Sequence, residues 1–137
     1  MTYLDVVTLI RRISKVVNPT GTFVHGKRVD GAQTYSDHYP VILLEPFPDT
    51  IDKTQDIETT SLTMAFMFQD SPSSSVEEQE VLIGQADVMR REFQDLLYVE
   101  ALDLSVFRGT PFYRIFAGVN TGYLLTFTIT NKTVTCV

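Results

Sequence analysis

The stretch from Leu62 to Leu97, LTMAFMFQDSPSSSVEEQEVLIGQADVMRREFQDLL, decides how the fold is read. Leu62, Met64, Phe66 and Phe68 alternate with Thr63, Ala65 and Met67, the pattern of a strand with two apolar faces. Asp70-Ser-Pro-Ser-Ser breaks that pattern. Ser75 followed by Glu78 is a capping-box signature, and Glu77 adds negative charge near the positive end of a helix dipole. Leu82, Ala86, Met89, Phe93 and Leu96 then recur at spacings of four and three, which predicts a helix from Val76 to about Tyr98. A strand followed by so long a helix predicts a helix lying across one face of a sheet.

Upstream, Val6, Ile10, Ile13 and Val17 mark one face of a helix over residues 4–17, ended by Asn18-Pro-Thr-Gly21. Thr22–Val29 is strand-compatible and Asp30-Gly31 is a turn signal. Gly26 to His38 is polar, and Tyr39-Pro-Val-Ile-Leu-Leu-Glu-Pro46 is a short apolar strand with prolines at its margins. These segments predict a hairpin with a long arm, or a loop of about a dozen residues, a length usually reserved for function. Pro46 to Ile57 reads as irregular and acidic. Phe112–Ala117 and Tyr123–Thr130 read as strands joined by a turn at Val119–Gly122, the second with a threonine-lined face. The expectation is one α+β domain spanning residues 1–137. It comprises a mixed or antiparallel sheet of about four to five strands, one long helix packed on it, an N-terminal helix and a long hairpin arm.

With 137 residues, 44% of them apolar and 20% charged, the chain can bury a core without staples. No apolar run approaches the roughly 20 residues that span a bilayer, and Met1-Thr-Tyr-Leu-Asp lacks the pattern of a signal peptide, so no membrane partner is expected. Cys136 is the only cysteine, which suits synthesis in a reducing cytosol. A net charge of −6 argues against a broad electrostatic grip on nucleic acid. The charge is uneven: Arg11, Arg12, Lys15, Lys27 and Arg28 enrich the first 30 residues in base, whereas Glu45, Asp49, Asp52, Asp56 and Glu58 crowd one later stretch. Opposed patches of this kind can pair between neighbouring copies.

The residues that carry chemistry form no catalytic pattern. His25 and His38, with Asp37, lack the further ligands and spacing of a metal site. Ser36, His38 and an aspartate assemble a triad only on paper, since no Gly-x-Ser-x-Gly elbow is present. Glu77 and Glu78 are explained by helix capping, and glycines 21, 26 and 31 open no phosphate-binding helix. Neither catalysis, a metal nor a cofactor is expected.

Three stretches, Tyr39–Phe47, Leu62–Leu97 and Tyr123–Cys136, together with the order helix, hairpin with arm, strand, helix, two strands, resemble the tail terminator and tail-completion (head–tail joining) proteins of tailed bacteriophages. The resemblance covers most of the chain as pattern and length rather than as an invariant motif. It implies a structural virion protein made in the host cytoplasm. That protein forms a ring, usually a hexamer, at the head-proximal end of the tail tube, stops tube polymerisation and joins tail to neck. Its implied partners are other copies of itself, the tail tube protein and a neck or connector protein, with DNA passing through the lumen without specific binding.

By position, the family's arm falls on Lys27, Arg28, Asp30, Tyr35, Asp37 and His38 as subunit contacts. Asp49, Asp52, Asp56 and Glu58 would either line the lumen or join the interface. A stopper or adaptor protein of the neck is the nearest alternative, and a non-viral ligand-binding α+β domain is another.

Overall fold

A computed structural model of the chain describes residues 1–26, 38–71, 73–100, 102–115 and 120–132. Helix α1 runs Tyr3–Val17. Thr2 caps it: its hydroxyl accepts the Asp5 amide at 3.2 Å, and the Asp5 carboxylate accepts the Thr2 amide at 2.8 Å. The predicted apolar stripe is buried at Val6, Ile10 and Ile13, and Val7 and Leu9 widen it.

Strands β1 (Thr22–His25), β2 (Val41–Leu44), β3 (Asp49–Asp52), β4 (Ile57–Gln69), β5 (Asp103–Leu104), β6 (Arg108–Ile115) and β7 (Asn120–Lys132) form one mixed sheet. The long pair β4–β7 is antiparallel from Ile57↔Lys132 to Gln69↔Asn120 and is its spine. Strands β2 and β3 lie end to end along the free edge of β4, and β5 and β6 lie end to end along the free edge of β7. Seven strand segments thus occupy five lanes, which agrees with the α+β expectation.

Helix α2 (Val76–Val99) crosses β4 and β7 on one face. Ser75 caps it through the Glu78 amide at 3.2 Å. Phe93 is fully buried, with Phe66 edge-on at 5.7 Å and Phe127 at 6.4 Å between ring centres. The same helix-covered face collects Ile42, Leu44, Leu62, Met64, Leu125 and Ile129. Val41, Leu43, Ala65, Met67 and Phe112 form a second buried cluster on the opposite face, so β2 and the C-terminal part of β4 are apolar on both sides.

Three local expectations give way to tertiary contacts. First, β1 and β2 are parallel, Thr22↔Val41 through His25↔Leu44, and do not form a hairpin. The corner after α1 is the cause. The Pro40 carbonyl accepts both the Asn18 side-chain amide at 2.7 Å and the Thr22 amide at 3.1 Å, which sets the two strand starts side by side. A side chain at Gly21 would collide with that carbonyl, its Cβ falling 2.1 Å from the oxygen.

Second, the acidic stretch is not irregular: β3 and the start of β4 make a hairpin. Asp52 Oδ1 accepts the amides of Thr54 (2.9 Å) and Gln55 (3.3 Å), and Asp56 takes a left-handed φ of 53°. Third, Asn120, Thr121 and Gly122 belong to β7 and are buried, so they are not the predicted turn. Gly122 passes so close to β4 that a Cβ would lie 1.8 Å from the Phe66 carbonyl oxygen. Tight strand approach, rather than turn geometry, is what this glycine serves.

Candidate assembly surfaces

Among the sequence-predicted contact residues, Lys27, Arg28, Asp30, Tyr35 and Asp37 lie outside the described residues. His38 is exposed, and its carbonyl accepts the Thr22 hydroxyl at 2.9 Å. His25 is held internally. Its Nδ1 donates to the Leu44 carbonyl at 2.8 Å, which leaves Nε2 to accept the Tyr3 hydroxyl at 2.7 Å. Tyr3 in turn stacks on Phe47 at 4.2 Å. This arrangement ties β1 to the start of α1 and spends both ring nitrogens on structure.

The four predicted acids lie on one hairpin but divide between its faces. Asp49 and Glu58 point to the helix side, where they line a small cavity of about 90 Å³ with Tyr3, Phe47 and Thr60. Asp52 is used in the turn, and Asp56 is half-buried beside it. Strand β3 is exposed throughout, including Ile51, so this end of the sheet presents an acidic edge. The opposite edge differs. There β6 exposes Arg108, Val106 and Tyr113 are exposed apolar groups, and Asp103 on β5 is an exposed acid.

Between these edges the helix-free face carries Ser61 and Thr63 across from Thr128 and Thr126. With Arg108 and Ser105 they line an open groove of about 220 Å³, rich in hydroxyls. This is the threonine face the sequence shows.

Two further features escaped the sequence reading. A polar set closes one end of the sheet, one pair on each face: Thr121 Oγ1 donates to Asp70 at 2.6 Å on the helix side, and the Tyr39 hydroxyl donates to Asn120 on the other. Burial pushes the Tyr39 phenol above its ordinary pKa. Its members are far apart in the chain, so no local pattern announces it.

The helix layer is the second feature. The outward face of α1 carries Leu4, Arg11, Arg12 and Lys15, all exposed, with Arg12 paired to Glu100 at 2.7 Å. The outward crest of α2 carries Glu77, Glu80, Val81, Gly84 and Val88, all exposed. A second apolar spacing, Val81 to Val88, was the available signal for that crest.

Among the described residues, no three His, Cys, Asp or Glu side chains converge as metal ligands, and no helix is long and apolar enough to cross a membrane. No family model matches the chain, and no curated protein matches it.

Proposed function

We propose that this protein is a structural ring subunit that closes the head-proximal end of a phage tail tube and joins it to the neck. The observation that carries the reading is the unlike chemistry of the two sheet edges, acidic at β3 and basic-apolar at β6. A subunit with two different complementary patches associates head to tail. Such a contact closes into a ring when the rotation per subunit divides a full turn.

The helix layer adds unlike surfaces of its own, and the resemblance of the three quoted stretches to tail terminators supplies the place of the ring. A stopper or adaptor in the neck would use the same physics, and location in the virion separates the two.

The test is light scattering on purified protein, negative-stain imaging of the same sample, and incubation with isolated tail tubes. Rings with a central hole, or density capping tube ends, are expected. A strict monomer that also leaves tube ends bare overturns the proposal.

A further inference from the structure

We propose that the crest of α2 around Val81, Gly84 and Val88 receives the outer face of α1, with Leu4, Arg11 and Lys15, from a second copy of this chain. The inference rests on reading the protein as a self-assembling subunit, but not on where its ring is placed.

Val81 and Val88 are 59% and 57% exposed, seven residues apart on one helix face, and Leu4 on α1 is 73% exposed. Gly84 lies between the two valines. Among the described residues, nothing beyond its own stretch of helix comes within 4 Å of where its Cβ would be. A glycine inside an exposed helix weakens that helix, and the subunit itself makes no use of the missing side chain. What a missing Cβ permits is the close approach of another backbone.

Charge selects the occupant. Glu77 and Glu80 lie beside Val81 on α2, where Arg91 beyond Val88 is already paired with Asp87 at 3.1 Å, whereas Arg11 and Lys15 lie two and three turns beyond Leu4 on α1, whose neighbour Asp5 is tied to the Thr2 amide. Pairing α2 with α2, or α1 with α1, would oppose like charges. Pairing α1 with α2 opposes unlike ones. The contact therefore joins different patches of two copies, as a closed ring requires.

The experiment is sedimentation velocity on the full chain over a concentration series, with three variants. Arg11→Glu with Lys15→Glu makes both crests acidic, and Glu77→Lys with Glu80→Lys makes both basic. Each double variant is expected to associate at least about tenfold more weakly than wild type, and an equimolar mixture of the two is expected to recover it. Gly84→Leu, which an exposed helix accommodates, is expected to weaken association by about tenfold with unchanged circular dichroism.

Reversed variants that associate as wild type does, or a wild type that stays monomeric to about 1 mM, overturn the inference. Rings that persist through both reversals would leave the ring reading standing and this contact wrong. Charge-dependent dimers that never close into rings would do the opposite.

Discussion

Gly122, Ser14 and Asp5 show how far a single position is decided by its surroundings. Gly122 has no room for a methyl group, because the Phe66 carbonyl occupies that space. Gly122→Ala must separate the two central strands, and a loss of about 3 kcal/mol or more in urea unfolding is expected. From sequence, Val119-Asn-Thr-Gly122 reads as a turn, since local rules see the glycine but not the strand it approaches. The Ser14 hydroxyl of α1 is buried and has no hydrogen-bond partner among the described residues. Ser14→Ala removes that desolvated group and improves helix propensity, so a gain of about 0.5–1 kcal/mol is expected.

Asp5 is held below the ordinary aspartate pKa, chiefly by the Thr2 amide and then by the Thr2 hydroxyl. A carboxylate whose pKa is lower folded than unfolded stabilises the protein above the unfolded value, and that contribution is lost as pH falls through the folded one. Asp5→Asn should therefore lower Tm at pH 7, and the difference should vanish once pH drops below the folded pKa. A difference that survives there would point to packing rather than charge.

Elements with a local signal were legible, and elements built by partners were not. Helix α2 was read with nearly its full length, because Ser75 and Glu78 mark its start and its apolar spacing continues for about four turns, from Leu82 to Leu96. The stripe ends one residue off: the spacing of three from Phe93 selects Leu96, but a spacing of four, to Leu97, is the one that faces the sheet. The structure buries Leu97 completely and leaves Leu96 36% exposed. Leu97→Ala should cost about 2–5 kcal/mol by thermal or urea unfolding, and Leu96→Ala less than about 1 kcal/mol. Equal costs would mean that the helix is rotated from the orientation described.

Strand β3 was missed because Asp49 and Asp52 disfavour strands, while the evidence for its pairing lies across the sheet at Ile57–Thr60. The parallel β1–β2 pair was missed for a similar reason. Its cause is one carbonyl, Pro40, that gathers Asn18 and Thr22 from the end of α1. The candidate site was legible only as charge: the acids and the threonine face were seen, but their division between the hairpin's faces follows from register. The α2 crest had a sequence signal in Val81, Gly84 and Val88, masked by the stronger stripe on the other side of the helix.

For the whole molecule, the charge pattern sets two roles for the β3 acids against each other, the contact between copies and the lining of the lumen. Salt separates the two. Exposed charges interact over about 10 Å at 0.1 M salt and about 3 Å at 1 M, so an assembly held by unlike patches loosens as salt rises. The predicted result is a fall in weight-average mass between those concentrations.

Neutralising Asp49, Asp52 and Asp56 to Asn and Glu58 to Gln then assigns the acids. Asn at position 52 keeps the oxygen that holds the turn, and Asn tolerates the left-handed backbone at position 56, so the hairpin should persist. If the β3 edge meets the Arg108 edge of the next copy, the neutralised protein should assemble more weakly and lose the β3 share of its salt dependence, the α1–α2 charge pairs keeping the rest. If the acids face the lumen, assembly and its salt response should be those of wild type, and the change should appear as DNA retained on the ring. Association that strengthens with salt would contradict both, because apolar contact at Ile51, Val106 and Tyr113 would then outweigh every charged pair.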